Sequence, residues 1–371
     1  MAIYCCCVPF IYLFRCIVYY CTGCFRHQPF LKEPFSGQLQ RNRLDGGWYT
    51  DYYQTFVCTR DVFYVLLAKR FYNTHDKREI SKFVTRLCQD ITADGQVPWG
   101  YTINWYGALK PVYTHNNITV ADANAQFLIM LWWMVEEKRK EAEKYYIYAL
   151  RAWHWIENHI KDDTFYEPIG ASWENTRAHD GFLLLTNVFV IKCIRCMELI
   201  SMTRKDKRQI QLCIAKHNKF KSKWVAEIYK TQETLPRILA VHWNIVPNSF
   251  IESFNQTLQF ERVPLRTSGP IIDITTTESS IYGYSDKHTT VIWPWVGFLW
   301  IATCVEKKKE DIARGWWTSY LEFHHAKTLY DMYESSTNKP VRRAFIKASP
   351  CHSVTLAMYL AADHCTSDIL V

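Results

Sequence analysis

The chain has 371 residues, 49% of them hydrophobic and 22% charged, which is the balance of a folded protein with a sizeable core and excludes an intrinsically disordered one. Its formal net charge is +8, but the basic residues are scattered, and the densest run, Lys307-Lys308-Lys309, is flanked by Glu306 and Glu310, as on a solvated helix face or turn; no nucleic-acid partner is expected. Aromatic residues reach 16%, with 15 Trp and 23 Tyr, more than interior packing requires, and rings half exposed in a cleft offer flat faces suited to stacking on sugars.

The first 40 residues read separately from the rest. Between residues 2 and 24 the only charge is Arg15, and the segment is dense in Ile, Val, Phe, Tyr and Cys. It approaches the length of a membrane span, yet a charge in its middle is costly there, and it lacks the basic start and small-residue cleavage site of a signal peptide. Two readings stay open: membrane contact through residues 2–24, with Cys5, Cys6 and Cys7 open to S-acylation, or a buried N-terminal arm. The expected location is accordingly cytoplasmic or membrane-associated. Of the 14 cysteines, the eight beyond Cys24 are spread through apolar patterns, as buried thiols of a reducing compartment are. Cys21/Cys24 and Cys193/Cys196 have the gap of a metal pair but no second pair at finger-like distance, so no metal is expected.

From residue 41 onward, apolar spacing predicts helices over 53–71, 78–91, 121–136, 138–160, 181–202, 208–229, 250–258, 290–305, 310–325 and 353–362, and strands only over 113–120 and 271–277. No long charged linker interrupts them, so residues 41–371 are expected to form one all-α domain. The helices pair through connections that are alternately short and long, and residues with chemical potential gather in the long ones. Hairpins closed into a ring would bring those loops to one mouth.

In chain order the candidates begin with Thr59-Arg60-Asp61, either a hydroxyl-binding clamp or a helix cap with a surface pair. Asp94-Gly95-Gln96-Val97-Pro98-Trp99 is a turn that presents Trp99. Asp122 opens a helix, with Asn124 close behind; capping alone would account for Asp122. Trp173-Glu174 lies in a polar aromatic stretch that continues through Arg177 to Asp180 and runs into the apolar pattern Phe182-Leu183-Leu184-Leu185. A carboxylate shielded by an indole can have the raised pKa of a general acid, while the plain alternative is a helix-start residue favoured by the dipole. His288 precedes Trp293-Pro294-Trp295, a rigid aromatic wall. Glu334 follows the pattern Leu329-Tyr330-Asp331-Met332-Tyr333 and is expected at a helix C-terminus, where the dipole opposes it and another interaction must hold it.

Taken together, this order resembles the alpha/alpha-toroid glycoside hydrolases, above all the glucosidase part of glycogen-debranching enzymes and processing alpha-glucosidase I. The similarity runs from about residue 46 to 362. It is carried by Thr59-Arg60-Asp61, the Asp94-Gly95-Gln96-Val97-Pro98 turn, the Asp122 helix start, Val291-Ile292-Trp293-Pro294-Trp295, Glu334 before the Asn338-Lys339-Pro340 turn, and Ala348-Ser349-Pro350-Cys351-His352-Ser353. The family's Trp-Ser pair near the end appears here as His352-Ser353. The resemblance implies a single-domain (α/α)6 toroid and an inverting glycosidase needing no cofactor or metal. Glu174 would be its general acid and Glu334 its base, with Arg60, Asp61, Trp99, Asp122, Asn124, Trp173, Arg177, Asp180, His288, Trp293 and Trp295 holding an alpha-glucoside-like carbohydrate. Two alternatives remain at this point, a sugar epimerase or isomerase on the same toroid and a catalytically inactive carbohydrate-binding protein.

Overall fold

A computed structural model of the chain describes residues 43–44, 47–48, 56–72, 77–103, 108–115, 118–136, 139–166, 183–231, 233–259, 291–320, 329–331, 333–334, 339–340, 352–367 and 369. Among them are eleven helices: α1 Thr59–Phe71, α2 Lys77–Asp90, α3 Asp122–Val135, α4 Arg139–Asn158, α5 Leu184–Arg204, α6 Lys207–Lys230, α7 Thr234–His242, α8 Phe250–Gln259, α9 Pro294–Glu306, α10 Glu310–Ser319 and α11 Ser353–Ser367.

Composition sorts these helices into two layers. The odd-numbered ones are apolar almost all round: in α3 every residue but Trp132 is buried, and α9 is buried from Pro294 to Cys304. A helix without a polar face must be surrounded. The even-numbered ones carry one apolar stripe; the long α6 buries only Gln209, Cys213, Phe220, Trp224 and Ile228. The contacts follow from this. α1 packs on α3, α3 on α5, α5 on α7, α7 on α9, α9 on α11 and α11 back on α1, a closed inner ring of six. Outside it, α2 lies on α3, α4 on α3 and α5, α6 on α5 and α7, and α10 on α9 and α11. α8 is held by rings, with Phe254 against Trp300 of α9 (4.9 Å) and Phe250 against Tyr229 of α6 (4.7 Å).

Aromatic side chains fill the inside of the ring. Fully buried Phe63 of α1 meets Trp133 of α3 at 5.1 Å and Phe189 of α5 at 5.3 Å, while Tyr64 meets Trp295 of α9 at 4.8 Å. Each such ring stabilises the fold by about 1.5–3 kcal/mol of burial. Close approach matters at one glycine: a Cβ on Gly297 of α9 would stand 1.6 Å from the Tyr320 hydroxyl, so only glycine lets the two meet.

The inner helices are parallel. The first turns of α1 and α3 touch through Arg60 and Asp122, and their last turns touch through Arg70 and Glu136. At one end the inner helices pass to the outer ones by short connections, residues 136–138, 205–206, 243–249 and 307–309. At the other, most connections are long: 91–121, 159–183, 260–293 and 320–352 each leave an outer helix and arrive at the N-terminus of α3, α5, α9 or α11. That end is the mouth.

Short strands edge the mouth. β3 (Phe56–Cys58), β4 (Gly100–Ile103) and β5 (Leu109–Val112) form an antiparallel sheet, and two-residue ladders join β1 (Arg43–Leu44) to β2 (Gly47–Trp48), β6 (Thr114–His115) to β7 (Ile118–Thr119), β8 (Ile160–Lys161) to β9 (Thr164–Phe165), and β10 (Val291–Ile292) to β11 (Tyr333–Glu334). The strand expected over 113–120 is the β6–β7 hairpin; that expected over 271–277 lies outside the described residues, as does the segment 2–24. Helix α7 is an addition to the sequence expectations, and the helix expected from residue 53 starts at Thr59 because 56–58 pair in the sheet. No helix among the described residues is long and apolar enough to cross a membrane.

Candidate active site at the mouth of the ring

Two first-turn residues bridge adjacent inner helices. Arg60 Nε donates to Asp122 Oδ2 at 2.7 Å, with the side chains 15% and 6% exposed. The same oxygen accepts Gln126 Nε2 at 3.1 Å. Burial works against the Arg60 charge, but the Asp122 carboxylate outweighs it and holds the guanidinium pKa above its ordinary value. Burial and then the Asp61 carboxylate push the neighbouring Cys58 thiol up to about 12, so it is an inert thiol. Tyr64, one turn below Arg60, is pushed up by burial first and by Asp122 and Asp61, with Arg60 opposing, and stays a neutral phenol. Asp61 is half-buried beside this pair.

The turn that presents Trp99 is tied to both helices. Thr59 donates through its amide to Trp99 O (2.8 Å) and through its hydroxyl to Pro98 O (2.7 Å). Val97 N–H donates to Asn124 Oδ1 at 3.0 Å, and Asn124 Nδ2 donates to Gly95 O (2.9 Å) and Ala152 O (3.3 Å). Gly95 takes φ +95°, and a Cβ there would lie 2.1 Å from Arg151 O. Asn124 is wholly buried and its amide is committed on both sides. This corrects the expectation that it holds substrate: it sets the turn from beneath. Asn187 in α5 repeats the device, accepting from Phe165 N–H (2.9 Å) and donating to Leu183 O (2.8 Å).

The aromatic wall divides in two. Trp99 is half-buried, with its ring 4.8 Å from Phe56 and its Nε1 donating to Thr114 O at 3.2 Å. Trp293 and Trp295 are buried, and Trp295 backs onto Tyr64. The ring face nearest the surface is therefore Trp99, with Trp295 supporting the floor of the mouth.

Glu334 is placed by backbone pairing. Val291 pairs with Glu334 and Ile292 with Tyr333, immediately before the Trp293-Pro294-Trp295 start of α9. Glu334 is thus on a two-residue strand, and the expectation of a helix C-terminus is corrected; the opposing dipole does not arise. Tyr333 is buried and its hydroxyl accepts Tyr330 N–H at 3.1 Å. Trp173, Glu174, Arg177, Asp180 and His288 lie outside the described residues; the first four belong to the connection entering α5 and His288 to the one entering α9.

The structure therefore joins Arg60 to Asp122 and brings the Glu334 backbone beside the aromatic start of α9. It also adds residues that sequence reasoning passed over: Gln126 and Tyr64, each one turn after a candidate on the same helix face. The i,i+4 spacing Asp122/Gln126 and Arg60/Tyr64 was the available signal. Inner-helix N-termini also point their partial positive charge into the mouth, favouring anionic groups there. Among the described residues no group of three or more His, Cys, Asp and Glu could hold a metal ion. Cys193 and Cys196 are buried within α5, their thiols raised by burial, Cys196 to about 11.

No protein-family model and no curated protein matches the chain by sequence. Solved structures match it by fold. A rhamnosidase from Klebsiella oxytoca with rhamnose bound is 10% identical, covers 94% of this chain and 65% of its own, and has a TM-score of 0.62. A GH63 mannosylglycerate hydrolase from Thermus thermophilus in complex with glucose is 10% identical, with 88% and 98% covered and a TM-score of 0.61. A bacterial glucoamylase complexed with acarbose is 11% identical, with 89% and 55% covered and a TM-score of 0.60. The chain spans about two thirds of the rhamnosidase and nearly all of the hydrolase. At this identity the likeness is one of architecture, and the chain has the (α/α)6 toroid fold of those proteins.

Proposed function

We propose that the protein is a glycoside hydrolase acting at the mouth of the ring. The observation that carries the reading is the convergence at one end of a closed toroid of the Arg60–Asp122 clamp, the exposed Trp99 face and the strand bearing Glu334 beside α9. The fold neighbours that hold rhamnose, glucose and acarbose support it, since each is described as a carbohydrate complex of the same architecture.

In this reading Glu174, from the connection between α4 and α5, protonates the leaving glycosidic oxygen. Glu334 takes a proton from a water attacking the opposite face of the sugar. The resemblance implies inversion, for which the two carboxyl groups stand about 6.5–9.5 Å apart, leaving room for that water. Arg60 and Asp122 are a donor and acceptor already fixed in place, so a sugar hydroxyl meets them without reorganisation. Asp61, Arg177, Asp180 and His288 complete the polar contacts, and Trp99, Trp173, Trp293 and Trp295 form the aromatic lining, for an alpha-glucoside-like oligosaccharide.

Glu174→Gln and Glu334→Gln, assayed on aryl glycosides and disaccharides, test it. Each should lower kcat about 10²–10⁴-fold in a folded protein. NMR of the first-formed sugar should show the anomer opposite to that of the substrate. Full activity in either variant overturns that residue's role. A wild type that binds a cationic iminosugar no better than the plain sugar and cleaves nothing is instead a carbohydrate-binding protein.

A further inference from the structure

At the end of the ring away from the mouth, α5, α6 and the turn after α7 enclose a cavity of about 220 Å³. Lys192 and Arg195 enter it from α5, His217 and Lys221 from α6, and Trp243 and Asn244 from the turn. Like-charged groups three or four residues apart on a helix repel, so the Lys192/Arg195 pair, with Lys221 facing the same concavity, destabilises the fold unless something compensates it. Among the described residues the only acid bonded to them is Glu198, which accepts from Arg195. Among the described residues neither Lys192 nor Lys221 has an ion-pair partner, and both are half-buried. Asn244 Oδ1 accepts from Lys307 at 3.0 Å, which leaves its NH₂ to donate.

A larger cavity of about 460 Å³ adjoins the first and shares Lys192, Trp243 and Asn244 with it. Its lining acid, Glu306, is already matched within the protein by His242 and Lys307, and its lining Arg70 by Glu136. Lys192 at the junction is not. The apolar part of this second cavity is Phe71, Trp133, Trp243 and Val305. A compact anionic head in the small cavity and a neutral body in the large one would fit both.

We propose that these joined cavities bind a phosphate group, carried by inorganic phosphate or a phosphomonoester, with Lys192, Arg195, His217 and Lys221 as its cationic cradle. A tetrahedral oxyanion presents enough acceptors for four converging donors, and its charge offsets the repulsion among them. The site is separate from the mouth and does not rest on the glycosidase reading.

The test uses the full chain, titrated with inorganic phosphate and with glucose 6-phosphate by calorimetry, while the His217 ring signals are followed by NMR. Saturable binding is expected, weakened about tenfold or more by Lys192→Met and by Lys221→Met. Lys219→Met, on the exposed side of α6, should leave it within about twofold. His217 is held below its ordinary pKa by burial, with Lys221 and Arg195 adding to this and Glu198 opposing, so a bound phosphate should move it upward. That shift is read on the unaltered protein and stands even where a variant fails to fold. Tighter binding of the sugar phosphate than of phosphate assigns a phosphomonoester, and equal binding assigns phosphate itself. Failure of both probes to saturate, or equal affinity in wild type and both lysine variants, overturns the proposal.

Discussion

The two ends of the ring solve the same problem in opposite ways. Every inner helix must turn back on itself at each end. At the far end three consecutive inner helices, α5, α7 and α9, stop with one local device: a left-handed residue, Lys205, Asn244 or Lys308, followed by an amide that reaches back five residues to Ser201, Ala240 or Cys304. These turns are self-contained, closed by main-chain bonds between near neighbours. At the mouth the bonds instead join residues far apart in the chain, Arg60 to Asp122, Thr59 to Pro98, Asn124 to Gly95 and Val291 to Glu334. Local closure lets each far-end turn form by itself, with side-chain pairs such as Arg70–Glu136 and His242–Glu306 added across them, whereas the mouth is held only when several segments arrive together. Such mutual fixing suits a site that must keep polar groups in place before a ligand enters.

The comparison is most severely tested at Asp122. Asp122→Ala leaves Arg60 charged, largely buried and without its carboxylate, and should lower unfolding stability by about 3–5 kcal/mol, measured by urea denaturation. Arg60→Ala in the same background should recover part of that loss, because the stranded charge goes with it. A loss below about 1 kcal/mol in the single variant would show that water already serves Arg60 and that the mouth is looser than described.

A smaller effect is expected at the far end on lowering pH. His242 Nδ1 is 2.7 Å from Glu306, and burial holds the imidazole below its ordinary 6.5 and neutral. Burial alone would raise Glu306, but the bonds from His242 and Lys307 overcome it and bring its carboxyl to about 2. Both folded pKa values are depressed, so both contributions are complete above the unfolded values. Protons taken up by the unfolded chain then erode stability as pH falls through 6.5 at His242 and from 4.5 towards 2 at Glu306. Thermal unfolding followed stepwise in pH should show the midpoint dropping in both windows, and Glu306→Gln should flatten the lower one. An unchanged profile in that variant would remove Glu306 from the account.

The smallest effect is a gain. Lys308 has φ +59°, a conformation that costs a residue with a Cβ about 1–2 kcal/mol. Lys308→Gly should therefore raise the unfolding midpoint slightly, by about 0.5–1 kcal/mol after the added flexibility of the unfolded chain is counted. In the turn that presents Trp99 at the mouth no such gain is available, because Gly95 already occupies the left-handed position.

Much of this architecture was legible in the sequence because the inner helices are apolar on all sides and the outer ones on a single stripe. The alternation of short and long connections gave the ring and the position of its mouth. Helix α7 was missed: it has nine residues and contains Pro236, which reads as a breaker although in the first turn it has no helical partner to lose. Asn124 was misjudged because a polar residue near a helix start looks available, and only the fold shows Val97, Gly95 and Ala152 around its amide. The Arg60–Asp122 pair joins positions separated by the whole of α2 and the sheet, so no local pattern announces it. Glu334 was legible as a candidate, but its strand was hidden because a two-residue ladder depends entirely on its partner, Val291.

The ring is sealed by its first and last inner helices, α1 and α11, with the rings of Tyr72 and His364 6.0 Å apart at the seam. A nascent polypeptide therefore leaves the ribosome with α1 and α9 each presenting an apolar flank that nothing can cover until Ser353–Ser367 has been made. A chain cut short just before Ser353 would lose only this one inner helix and yet be an open horseshoe with two sticky edges, a natural client for chaperones and proteases.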